Sequence, residues 1–163
     1  MTSPAGLRAN KQAVKCDLAA QALRRSGNLV LCATGTSMIP AIWPADALVV
    51  EPATPAAVAV GDIVLFSNGR RFVAHRVVQR NRGARPEQIR TRGDAVAIPD
   101  APISPSEILG KVSFIVRDGK RFELKRNLRR SERALAALLR RSHTAARVIA
   151  GIEGLRRARA ETV

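Results

Sequence analysis

Aromatic residues make up only 3% of this 163-residue chain: Trp43, four phenylalanines and no tyrosine. Proteins that read single-stranded nucleic acid stack bases on exposed rings, so specific nucleic-acid recognition is disfavoured from the start. The two cysteines, Cys16 and Cys32, form neither a disulfide framework nor a zinc spacing and read as reduced structural thiols. There are two histidines, and no glycine-rich loop ends in Lys-Ser or Lys-Thr before a helix, so metal and nucleotide readings are poor and no cofactor is expected. Asp62, Asp94 and Asp100 could be imagined as a magnesium cluster, but loop-capping aspartates are the commoner explanation. No run approaches the roughly 18 to 20 apolar residues of a membrane-spanning helix. Arg8, Lys11, Lys15 and Asp17 interrupt the amino terminus where a secretory leader would be apolar. The expected compartment is the cytoplasm, with peripheral membrane contact open.

Acidic residues are also scarce, 13 against 28 Lys and Arg, for a formal net charge of +15. The excess is uneven, because residues 111–163 hold 15 of the basic residues and 5 of the acidic ones. A composition that is 46% hydrophobic and of this length fits one globular domain with extensions.

Three zones follow from pattern. Residues 1–27 contain one short helix, about Cys16 to Arg25, stopped by Gly27; this is too little chain for a helix-turn-helix domain. From residue 28 to about 125 the chain turns to short β-branched runs cut by Gly, Pro and Asp, the mark of a small all-β domain. The expected strands are Leu29–Ala33, Ala47–Glu51, Asp62–Phe66, Phe72–Gln79, Gln88–Arg92, Ile108–Val116 and Arg121–Lys125, the last two joined by an Asp118-Gly119 hairpin turn. Residues 126–163 form a basic helical tail, with Leu128, Leu135, Leu138, Leu139, Ala146, Ile149 and Ile152 on an apolar stripe and arginines elsewhere.

Thr34-Gly35-Thr36-Ser37-Met38-Ile39-Pro40 follows the first strand. A serine in a glycine-containing turn can expose its hydroxyl and keep its own N–H free, which a nucleophile and its oxyanion hole both need. Taken alone, Gly35-Thr36-Ser37-Met38 reads better as a turn serine bonded to its own backbone. A set of segments follows in order: Gly61-Asp62-Ile63-Val64-Leu65-Phe66, Val73-Ala74-His75-Arg76-Val77-Val78, Thr91-Arg92-Gly93-Asp94, Asp100, and Ile108-Leu109-Gly110-Lys111-Val112. A serine hydroxyl needs a neutral imidazole to take its proton and a carboxylate to fix that imidazole's tautomer. His75 lies in a strand pattern and His143 in the basic tail, so the assignment of the base has little competition.

This order resembles the signal peptidase I and LexA-type serine peptidase superfamily across about residues 30–116. The resemblance implies a mainly β, LexA/signal-peptidase-like β-ribbon catalytic domain at residues 28–125. It also implies Ser37 as nucleophile. His75 stands where bacterial signal peptidases carry a lysine base, so the chain is closest to the Ser–His branch of endoplasmic-reticulum and archaeal type. In that branch a Gly-Asp motif is followed six residues later by a second aspartate, which implies Asp100 as the carboxylate orienting His75 and Asp94 as a supporting carboxylate or the weaker candidate for the same role. The Ser37 backbone N–H is the implied first oxyanion donor; the second could be backbone or Thr34. Met38 and Trp43 are candidates to line a substrate groove, with a core role equally open to both.

The implied activity is endoproteolysis of a precursor, leader or signal peptide after a small residue, the substrate lying as an added β-strand. A self-cleaving regulator without a DNA-binding domain is the alternative, with Ala5-Gly6 and Ala150-Gly151 as small-residue bonds. A silent binding module is a third reading. For the tail, packing on the protein's own β core comes first, an anionic membrane surface next and salt-sensitive, non-specific nucleic-acid binding third, with an acidic protein also open.

Overall fold

The computed structural model describes residues 18–23, 25–68, 71–83 and 87–141. Seven strands form, in the expected places: β1 (Leu29–Cys32), β2 (Ala47–Glu51), β3 (Ile63–Ser67), β4 (Phe72–Asn81), β5 (Gln88–Arg92), β6 (Ile108–Arg117) and β7 (Lys120–Glu123). They make one sheet in the order β1-β2-β6-β3-β4-β5, with β7 also on β6, and every pairing is antiparallel. The long β6 is the spine. Its residues 111–116 pair with β2, 108–111 with β3 and 114–117 with β7. Asp118 and Gly119 both adopt positive φ, 49° and 72°, which closes the β6–β7 hairpin as their sequence predicts.

β3 shows how the sheet is held. Its Ile-Val-Leu-Phe run is buried on both faces, because successive strand side chains point to opposite sides. Ile63 and Leu65 enter one core with Leu23, Met38, Ile42, Leu48, Val50, Val112 and Ile115. Val64 and Phe66 enter a second with Val58, Val77, Ile89 and Ile103. Each such aliphatic side chain, fully buried, contributes about 1.5–3 kcal/mol.

Two helices accompany the sheet, the first packed on its core and the second on the loops that follow β1 and β5. The first, α1, covers residues 18–26 apart from residue 24. It buries Leu23 in the first core, and Gly27 follows it with its N–H on the Leu23 carbonyl at 3.1 Å. Cys16, its expected start, lies outside the described residues. The second, α2 (Arg130–Arg141), begins where Glu132 accepts the Arg129 N–H at 2.6 Å. The expected stripe is corrected in one place. Leu138 is 60% exposed, whereas Ala136 and Leu139 are buried, because adjacent helical residues diverge by about 100° and the packed face centres on 135, 136 and 139. That face lies against Ile39, Trp43 and Ala95, so the described part of the tail covers the protein's own core. His143, Ala146, Ile149 and Ile152 lie outside the described residues, as do the Ala5-Gly6 and Ala150-Gly151 bonds. No described helix is long and apolar enough to cross a membrane.

Candidate active site

Ser37 sits on the loop from β1 to β2, and buried contacts of the residues that follow it fix that loop. Met38 and Ile39 are almost fully buried, and the Ile42 N–H bonds the Met38 carbonyl at 3.0 Å. Asp46, wholly buried, accepts the Trp43 N–H at 2.7 Å and a two-pronged bond from Arg117 at 2.8 and 2.7 Å. Trp43 Nε1 donates to the Pro40 carbonyl at 2.9 Å. The Ser37 side of the loop is thereby held while Ser37 itself stays partly exposed.

His75 comes from β4, opposite Val64 of β3 in the register, with the Phe66 ring edge-on at 6.4 Å. Thirty-eight residues separate Ser37 from His75, yet Ser37 Oγ lies 2.9 Å from His75 Nε2. On the other side of the ring, His75 Nδ1 lies 2.7 Å from Asp100 Oδ2. That oxygen also accepts the Thr91 hydroxyl at 2.7 Å, and the Asp100 N–H bonds the Thr91 carbonyl at 2.8 Å. Burial pushes the Asp100 carboxyl up, but the hydrogen bonds from His75 and Thr91 outweigh it and hold the group below the ordinary carboxylate value. An ionised carboxylate can only accept, so Nδ1 carries the proton and Nε2 is left to accept from Ser37 Oγ–H. The three polar side chains form one directed relay.

Asp94 is placed elsewhere. Arg76, next to His75 on β4, grips both its oxygens at 2.8 Å through Nε and a terminal nitrogen. The other terminal nitrogen of Arg76 bonds the carbonyls of Gly61, Lys125 and Arg126 at 2.8, 2.8 and 3.2 Å. Asp94 thus supports the site through Arg76 and does not touch His75's proton relay. Asp62 is separate again, paired with Arg126 at 2.7 Å and Lys111 at 3.7 Å, so the three aspartates serve three different partners.

The relay opens into a groove of about 910 Å³. One wall is the chain from Cys32 to Met38 and the other is β4 from Phe72 to His75. Met38 serves both roles left open for it, core and groove wall, whereas Trp43 lies in the cluster with Ile39 and Leu139 and away from the groove lining. Cys32 is a free, exposed thiol on the groove wall, not a buried structural one. Thr34 also faces the groove. The Ser37 N–H takes no acceptor among the described residues.

Thr91 and Arg76 carry parts of the site to which sequence reasoning gave no role. The available signal was a polar residue at an inward position of β5, where Ile89 and Thr91 are both fully buried. Comparison of the chain with protein-family models, curated proteins and solved structures finds no match.

Proposed function

We propose that this chain is a serine endopeptidase with Ser37 as nucleophile, His75 as general base and Asp100 as the carboxylate that orients it. The observation that carries the reading is the continuous relay from Ser37 Oγ to His75 at 2.9 Å and from His75 to Asp100 at 2.7 Å. The single antiparallel sheet and the order of the motifs fit the LexA/signal-peptidase-like fold that the sequence resembles.

The substrate would lie as an added strand. β5 pairs with β4 only over Arg76–Asn81, which leaves the backbone of Phe72–His75 open on that side among the described residues. This open edge forms a groove wall and leads to the imidazole. Ser37 Oγ attacks the scissile carbonyl carbon as its proton passes to His75 Nε2, and the developing oxyanion meets the Ser37 N–H. The C–N bond then breaks and His75 delivers the same proton to the leaving amine. In the second half, water gives a proton to His75 and its oxygen to the acyl carbon, releasing the acid and restoring the serine. The substrate class is a precursor, leader or signal peptide cut after a small residue.

The test is digestion of a mixed peptide library by wild type, Ser37→Ala and His75→Ala, read by mass spectrometry. Cleavage after small residues by wild type alone is expected. Cleavage that survives in Ser37→Ala, or none by wild type, overturns the reading.

A further inference from the structure

Helix α2 reaches the nucleophile through a single peptide group. Arg140 Nε donates to the Asp94 carbonyl oxygen at 2.9 Å. The N–H of that same peptide unit, on Ala95, donates to the Ser37 carbonyl oxygen at 2.8 Å. A peptide group is planar, so whatever orients its C=O also orients its N–H. Hydrogen bonds at its two ends also polarise one another in the same sense. Around this plane the contacts are apolar and tight. Leu139 of α2 packs with Ile39, two residues beyond Ser37, and with Ala95 itself.

We propose that Arg140 is a positioning residue for Ser37: by holding the Asp94–Ala95 peptide plane, it keeps the Ser37 carbonyl, and with it Oγ, in reach of His75 Nε2. The arginine touches neither the relay nor the groove lining. Its effect is therefore on geometry, where a displacement of about 1 Å can cost a hundredfold in rate. The helix is consequently part of the catalytic apparatus and not only a cover for the core. The consequence for catalysis rests on the serine-peptidase reading; the mechanical coupling does not.

The experiment compares wild type, Arg140→Ala, Arg140→Lys and Ser37→Ala. Four quantities are read: kcat and KM on the fastest-cleaved library peptide, hydrogen exchange of the Ala95 amide, and the ¹⁵N shift of His75 Nε2. Leu139 stays in place in the first two variants, so the helix remains docked. In Arg140→Ala we expect kcat to fall about tenfold with KM within about twofold, as for an interaction that acts on the reacting geometry. Ala95 exchange should quicken about tenfold, by the worth of one hydrogen bond. The His75 shift should move toward that of Ser37→Ala, and Arg140→Lys, which still offers a donor, should recover part of each loss. Wild-type kcat with unchanged Ala95 exchange in Arg140→Ala overturns the proposal. If wild type cleaves no peptide, the peptidase reading falls, and the exchange and shift decide alone: unchanged values overturn the coupling, altered ones uphold it.

Discussion

Gly93 and Ser37 meet backbone to backbone: a Cβ on Gly93 would lie 2.6 Å from the Ser37 carbonyl oxygen and 3.0 Å from the Ser37 Cβ. Real Cβ atoms do not approach a backbone oxygen so closely, and the oxygen is already held by the Ala95 N–H at 2.8 Å. Gly93→Ala must therefore push the Ser37 loop away from the segment that follows β5. We expect peptide cleavage to fall by about a hundredfold, with an overpacking cost of about 1–3 kcal/mol. Rate and urea stability measured on the same preparation check this, and a fully active variant would show that Ser37 is not held from this side.

The Thr91 hydroxyl ties Asp100 in place, and its removal has a pH signature. Asp100's carboxyl is held below its ordinary value of 3.8, so between the folded and unfolded values the folded chain binds fewer protons. That contribution to stability is complete above the unfolded value and is lost as pH falls through the folded one. Thr91→Val removes one of the bonds responsible and raises the folded value. We expect the variant to be less stable at pH 7 by about 1–2 kcal/mol, with the gap shrinking as pH drops below 3.8. Urea melts at pH 7 and pH 3 test it; a gap independent of pH would assign the loss to packing.

Asp100→Asn keeps the size of the side chain and removes its charge. The amide can present a donor to Nδ1, which would move the imidazole proton to Nε2, where Ser37 needs an acceptor. A loss of about 10⁴-fold in kcat with little change in KM is expected. Asp94→Asn, whose partner is Arg76 at 2.8 Å, should instead act mainly on stability. Equal kinetic losses in the two variants would contradict the separation of their roles.

The first six strands were legible because each carries β-branched residues between Gly, Pro or Asp breaks, and β7, Lys-Arg-Phe-Glu, was legible from the Asp118-Gly119 turn before it; these signals are local. The ordered motifs singled out Ser37, His75 and Asp100, and the structure brings them together. Sequence ranked Asp100 above Asp94 as the partner of His75 but left Asp94 open as the weaker candidate, because both follow the same Gly93 within a few residues. What separates them is Arg76, whose fork occupies both Asp94 oxygens from 18 positions away. Thr91 was hidden for a similar reason. A buried strand threonine looks like any β-former until its partner, nine residues on, is known. The direction of Leu138 and the placement of Trp43 depend on how α2 docks, which no local period encodes.

Arg76 and Asp94 form the most deeply buried ion pair of the site, with side chains 10% and 4% exposed. Removing one partner strands the other in a low-dielectric place, so Arg76→Ala is expected to cost about 3–5 kcal/mol. Asp94→Leu should cost a comparable amount, since it leaves the guanidinium without its counter-charge. Replacing both, as Arg76→Met with Asp94→Leu, removes the stranded charge and should cost clearly less than the two single changes together. It should not be neutral, because Arg76 also satisfies the carbonyl of buried Gly61, and a buried acceptor left without a donor costs about 1–3 kcal/mol. Arg76→Lys cannot reproduce the fork and the carbonyl bonds at once, so it should fall well short of wild type. A double-mutant cycle by urea denaturation decides the matter: additive losses would mean that the pair is not coupled and that Asp94 is held by its backbone alone.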